Sequence, residues 1–249
     1  MGIFDWPAPA FDWLDALMAD QLGPLGRIIA WSVICAIISM ALYAVLSPQK
    51  RIKKVKADVA DSRKAMADDD GEDFGEGMRL AKAQLGHSLK LVGVILIPAV
   101  VASLPALAML VWLDGQYGYS CPMPGTQTTI SAMPENANVE QIGARPVSEN
   151  GGACPIVRVS TSTDNGQSDV VIPLQAPVPV IGHKQWWNTL IGNPAGYLPD
   201  DTAIQQIRFD LPPQEIISVG PSWARGWELT FFVMLILVSL AIKKGFRIE

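Results

Sequence analysis

Apolar positions gather into three runs along this chain, and the polar ones fill the stretches between them. Residues 28–46 and 91–113 carry no charged side chain, and residues 229–242 repeat the pattern in shorter form. A helix rises about 1.5 Å per residue, so roughly 20 apolar residues cross a hydrocarbon core about 30 Å thick. The first two runs meet that length. The third has 14 residues between Glu228 and Lys243, a length that also suits a buried soluble helix. Its flanks favour a span: Trp223 and Trp227 precede it, Lys243, Lys244 and Arg247 follow it, and such aromatic and basic anchors mark membrane interfaces. A span this short is expected to thin the bilayer locally.

The stretches between the runs have periods of their own. In residues 1–24, Phe11, Leu14, Met18 and Leu22 recur at helical spacing behind Pro7 and Pro9, with Trp13 and Leu17 beside them and Asp12, Asp15 and Asp20 interspersed. This predicts either a short amphipathic helix on a membrane surface or a frayed end. Residues 48–89 predict a helical hairpin. Its first arm places Ile52, Val55, Val59 and Met66 on a narrow seam, and its tip is the acidic stretch 68–73. Its second arm places Phe74, Met78 and Leu85 on one face, with Leu80 beside it. Gly75, Gly77 and Gly86 weaken that arm by up to about 1 kcal/mol each and predict mobility. The hairpin is either a plain connector with a basic stem against anionic lipid or a Met-bearing surface, with Met66 and Met78, for varied apolar clients. Residues 115–222 are turn-rich and β-prone. Strands are expected at 154–163 and 169–174 around the turn at 164–167, at 203–209 and 215–219, and more weakly at 127–132. The segment 183–201, with Trp186, Trp187, Leu190, Ile191, Tyr197 and Leu198, reads as a short interfacial helix or as an exposed partner-binding surface.

Charge then orients the chain. Of 19 Lys and Arg residues, ten lie in 48–90 and only five in 115–225. Residues 1–26 have none and carry four Asp. Basic residues near span ends stay cytoplasmic, so the expected topology has the N-terminus outside and the C-terminus in the cytoplasm, with bacterial inner membrane as the location. The boundaries expected are an outer amphipathic helix at 1–24, spans at 25–47, 90–114 and 223–243, the cytoplasmic hairpin at 48–89, a β-rich extracytoplasmic insertion at 115–222 and a cytoplasmic tail at 244–249. The start lacks a basic n-region and an apolar h-region, which predicts no cleavable signal peptide. The formal charge of −5 and the membrane-hugging basic residues give no nucleic-acid footprint.

Candidate chemistry is sparse. Cys121 and Cys154 fall on the expected oxidising side and are expected to pair; Cys35 lies in the first span. The two His residues, His87 and His183, are far apart, so neither a metal site nor a cofactor is expected. No GxSxG, GxGxxG, P-loop or HExxH pattern occurs, and the reading is of a non-enzyme. Within the spans Ser32, Ser39 and Tyr43 share one face of the first. Ser103 lies in the second, and Thr230 and Ser239 in the third. They either hydrogen-bond between helices or line a polar groove. Pro98 and Pro105 lie seven residues apart in the second span, and a kink there would help open such a cavity. No Asp, Glu, Lys or Arg lies at mid-depth, against an ion pump or proton relay.

An outside N-terminus, a span, a basic hairpin beginning SPQKRIKKVKADVADSRKAM, a second span and a last span ending SLAIKKGFRIE together resemble the YidC/Oxa superfamily. The similarity is to its three-span branch, the archaeal YidC-like proteins and the insertase-type subunit of the ER membrane protein complex. It covers about 1–114 and 222–249. The resemblance implies a membrane-protein insertase or intramembrane chaperone with a cytoplasm-open polar groove in a thinned bilayer. Its implied partners are membrane-protein clients, the lipid bilayer, and a ribosome or translocon. Two departures accompany it: the 115–222 segment is domain-sized, and no groove arginine is present, Arg27 lying at the outer end of the first span. The long outer segment supports a second expectation, an accessory subunit of a multisubunit membrane complex.

Overall fold

The computed structural model describes residues 2–68, 73–126, 128–134, 137–146, 152–163 and 166–246. Residues 69–72 of the expected acidic tip, 164–165 of the expected turn, Gln127 and tail residues 247–249 with Arg247 lie outside the described residues. The helices are α1 (Ala8–Ala19), α2 (Pro24–Leu46), α3 (Gln49–Ala67), α4 (Phe74–Tyr117) and α5 (Trp227–Phe246). The strands are β1 (Ile130–Met133), β2 (Asn138–Pro146), β3 (Ala153–Thr163), β4 (Gly166–Pro173), β5 (Val180–Gly182) and β6 (Gln206–Phe209). The helices α2, α4 and α5 are long and apolar enough to cross a membrane. The chain divides into two compact units, one of Met1–Ile29 and Leu107–Phe231, the other of Ala30–Ala106 and Phe232–Glu249.

The first unit holds the β region. Its strands form two three-stranded antiparallel sheets, ordered β1-β6-β5 and β2-β3-β4. Period-two alternation builds the core: Val157 and Val159 of β3 and Ile207 and Phe209 of β6 are buried, while Arg158 and Arg208 between them are exposed. Leu174, Ile181, Leu198, Ile204 and Leu211 complete the cluster. The β3–β4 pairing matches the strands expected at 154–163 and 169–174. The strand expected at 203–209 contracts to β6, and β1 takes the end of 127–132. The strand expected at 215–219 is absent. There the Ile216 and Ile217 N–H groups both donate to the Arg225 carbonyl, at 2.7 and 3.1 Å, and close a loop instead. Strands β2 and β5 lie outside the expected set. β2 is a mostly exposed edge whose polar sequence hides its period, with a bulge between Gln141 and Gly143.

The second unit is helical. Pro48 separates α2 from α3: a proline biases the residue before it away from helix, so Ser47 ends the first run. The seam of α3 is buried at Ile52, Val55 and Val59, but Met66 is exposed. Phe74, Met78 and Leu85 of the second arm are exposed, whereas its half-buried positions include Leu80, Ala81, Gln84, His87, Ser88 and Leu91. His87 Nδ1 lies 2.6 Å from Ser62 Oγ of α3, and Ser62 also donates to the Asp58 carbonyl at 2.8 Å. Ser62 Oγ thus bridges the Asp58 carbonyl of its own helix and the His87 ring of α4.

Helix α4 runs unbroken for 44 residues, through Gly75, Gly77 and Gly86 and through Pro98 and Pro105. At about 1.5 Å per residue it is roughly 66 Å long, twice a bilayer core. Helix α5 has 20 residues, because helical backbone continues from Trp227 through Lys243 and Lys244 to Phe246, beyond both ends of the short apolar run. Its full length is about 30 Å, of which the 14 apolar residues between Glu228 and Lys243 cover about 21 Å. Glu228 in the first turn and Lys243 and Lys244 in the last complement its dipole.

Candidate functional site

In the first unit, three N-terminal aspartates each hold a different partner. Asp5 Oδ2 accepts from the backbone N–H of Gly2 at 2.6 Å and from that of Gly192 at 2.9 Å. The Phe4 N–H donates to the Leu190 carbonyl at 3.0 Å. Gly2 fits so closely there that a Cβ would stand 2.5 Å from the Leu190 carbonyl. Asp12 Oδ1 accepts from Trp112 Nε1 at 2.7 Å and from Gln116 Nε2 at 2.9 Å. Asp15 Oδ2 accepts from Arg27 Nη1 at 2.6 Å. The Tyr117 hydroxyl donates to the same carboxylate, 3.1 and 3.2 Å from its two oxygens.

Aromatic packing closes this cluster. Phe11 meets Trp112 edge-on with centroids 5.6 Å apart, and Trp112 meets Tyr117 at 6.4 Å. The Arg27 guanidinium lies 5.6 Å from the Tyr117 ring centre, within cation–π range. The N-terminal segment is therefore neither frayed nor loosely laid down. It is tied at the start of α2, along the last turns of α4 and to the loop at 190–192. The sequence marks Arg27 only as the single basic residue before residue 50; its partner Asp15 is one of four aspartates, and nothing in the local pattern selects it.

The groove candidates take varied positions. In the second unit Ser32 is fully buried, the Ser39 hydroxyl is shielded, and Tyr43 and Ser239 are half-buried. Ser103 is exposed and donates to the Val100 carbonyl of its own helix at 2.8 Å. Thr230, half-buried, belongs to the first unit. A cavity of about 330 Å³ in the first unit is lined by residues including Pro24, Cys121, Pro122, Pro212 and Glu215, and by none of these six. The client-contact candidates Met66 and Met78 are both exposed, at 47% and 43%.

Cys121 and Cys154 form a disulfide, as expected. It joins the chain after α4 to the start of β3, beside the Ala153 N–H donating to the Pro122 carbonyl at 2.8 Å. The interfacial anchors divide. Trp186, Trp187 and Trp223 are exposed, and Lys243 and Lys244 are exposed near the end of α5. Trp227 is not an outward anchor: it is buried and packs edge-on against Phe231 at 5.9 Å. The helix expected across 183–201 reduces to the four-residue 3-10 turn Trp186–Thr189. Beyond it Leu198 is buried in the β core, its N–H donating to the Gly182 carbonyl at 3.0 Å, and the Tyr197 hydroxyl accepts from the Asn193 N–H at 2.9 Å. Among the described residues no three His, Cys, Asp or Glu side chains are grouped to hold a metal ion. Comparison with protein-family models, with curated proteins and with solved structures finds no match to this chain.

Proposed function

We propose that this chain is a membrane-protein insertase or intramembrane chaperone of the YidC/Oxa type, with its hairpin in the cytoplasm and its N-terminus and β region outside, in a bacterial inner membrane. The observation that carries this reading is the α3–α4 hairpin. Ile52, Val55 and Val59 of its first arm are buried and Ser62 meets His87 of the second, while Met66, Phe74 and Met78 stay exposed around its far end. Flexible thioethers suit variable apolar partners, and α4 carries the second arm without a break into an apolar run. The work is physical. A polar segment crossing hydrocarbon costs several kcal/mol per unsatisfied group, and polar side chains of the second unit's apolar helices, Tyr43 and Ser239 among the half-buried ones, would lower that cost by facing a wet path. Photo-crosslinkers placed at Met66 and Met78 during membrane-protein synthesis should capture several unrelated clients, with ribosome or translocon components. Capture of no client would overturn the reading.

A second reading, an accessory subunit of a larger membrane complex, is favoured by the exposed pair Trp186 and Trp187 on a turn braced by the β core. Aromatic side chains of this kind anchor protein interfaces. One constant stoichiometric partner set, released by Trp186→Ala/Trp187→Ala, would support it over the first.

A further inference from the structure

We infer that α1 is a fixed interfacial helix whose outward face, built from Trp13 and Leu17 with Trp6 just ahead of it, is immersed in the bilayer at the end where α2 begins and α4 stops. The inference rests on the proposal that α2 and α4 cross a membrane, and it assigns a lipid contact outside both of them.

The first ground is the helix's inverted polarity. Asp15 points into the protein toward Arg27 and Tyr117, and Asp12 reaches Trp112. Trp13 and Leu17 lie two residues to either side of Asp15, about 200° around the helix. They are 64% and 56% exposed, and Trp6, just before the helix, is 85% exposed. Asp12 and Asp20 stay exposed, but the face opposite buried Asp15 turns a tryptophan and a leucine outward, an apolar surface that gains by leaving water.

The second ground is where it is pinned. Arg27 directly precedes the uncharged run of α2, while Gln116 and Tyr117 lie just beyond the uncharged run of α4 and Trp112 closes it. Both anchor points mark the depth at which hydrocarbon gives way to headgroups. An apolar face held at that depth meets the acyl–headgroup boundary, where indole rings concentrate. The third ground is charge. Residues 1–26 hold four Asp and no Lys or Arg, so the preferred surface is zwitterionic and anionic lipid is disfavoured.

The full-length protein in phosphatidylcholine nanodiscs tests this. In a Cys35→Ala background, nitroxide labels go on Trp13→Cys and Leu17→Cys, with Leu104→Cys in the apolar run of α4 and Glu140→Cys on an exposed strand as references. Oxygen collisions should exceed those of a water-soluble nickel chelate at 13 and 17, as at 104, with the order reversed at 140. Labels at 13 and 17 that behave like 140 while 104 reads lipid would overturn the inference alone. If 104 also reads water, the membrane reading fails with it. Shielding from both reagents would mean that protein, a second copy or a partner, covers the face, and would overturn it as well. Independently, Trp6→Phe/Trp13→Phe, a mild surface change, should reduce tryptophan quenching by interface-brominated phosphatidylcholine; unchanged quenching would also count against it.

Discussion

Asp15 accepts a hydrogen bond from Arg27 at 2.6 Å, twelve residues along the chain, with both side chains almost withdrawn from solvent. The pair links α1 to the first turn of α2. With the Tyr117 hydroxyl on the same carboxylate, it also ties both to the end of α4. Two charges taken out of water offset that penalty only through good geometry and further hydrogen bonds. Tyr117 supplies both kinds of help, a donor to Asp15 and a ring face to Arg27.

Removing one member of this pair leaves an uncompensated buried charge. Arg27→Met or Asp15→Leu alone should each destabilise the first unit by about 3–5 kcal/mol, while the double variant, which buries no lone charge, should recover much of that loss. Thermal unfolding of the purified protein reads the difference. A double variant as unstable as the sum of the singles would mean that the two side chains act separately.

The disulfide closes a loop of 33 residues that contains β1 and β2. Loop-closure entropy for that length corresponds to about 3–4 kcal/mol. Cys121→Ala/Cys154→Ala, or mild reduction, should therefore lower the melting point of the β region and leave the helical signal of α2, α4 and α5 in place. Near- and far-ultraviolet circular dichroism followed together during heating separates the two. Simultaneous loss of both signals would show that the β region does not melt on its own.

Period-based signals carry furthest in this chain. The apolar runs mark α2 and α4 because neither composition nor a charge interrupts them, and alternation marks β3 and β4 because Val157, Val159 and their neighbours flank exposed Arg158. In α5 the apolar run and the helix differ in extent, since Lys243 and Lys244 end the run without ending the helix. The seam expectation fails at Met66, which is exposed, and the contact between the arms at Ser62 and His87 joins two polar residues that hydrophobic counting passes over. Tertiary contacts hide the rest. Asp12 and Asp15 read as the polar face of a surface helix, yet their partners lie at 112, 116, 117 and 27, where no local pattern points to them. Helix face alone selects the groove candidates, and it does not separate buried Ser32 from Ser103, bonded to its own helix.

Hairpin stability and client contact should be separable. Ile52 is fully buried, so Ile52→Ala should cost about 2–4 kcal/mol and expose the arms to protease. Met66→Ala and Met78→Ala remove exposed side chains and should stay within about 0.5 kcal/mol of the parent. If the insertase reading holds, those same two substitutions should still weaken client crosslinking. Limited proteolysis and crosslinking yield, measured on one set of variants, give both answers; a Met variant that loses protease resistance would place the thioethers in the seam after all.

The tryptophans near α5 and in the β region offer the cleanest split between structure and contact. Trp227 is 4% exposed and packs on Phe231, so Trp227→Ala should cost about 3–5 kcal/mol. Trp223, at 73%, should tolerate alanine within about 0.5 kcal/mol in detergent. Trp186 and Trp187 sit on a turn whose continuation contributes Leu198 to the β core. Deleting 183–201 would therefore unfold the unit, and point substitution is the usable probe. Trp186→Ala/Trp187→Ala should leave the melting point of the β region unchanged, because neither side chain belongs to its core. Native gel mobility then decides what they do. An accessory subunit would fall from its high-mass complex to the free protein, whereas an insertase acting through its hairpin would keep both its mobility and its client crosslinks.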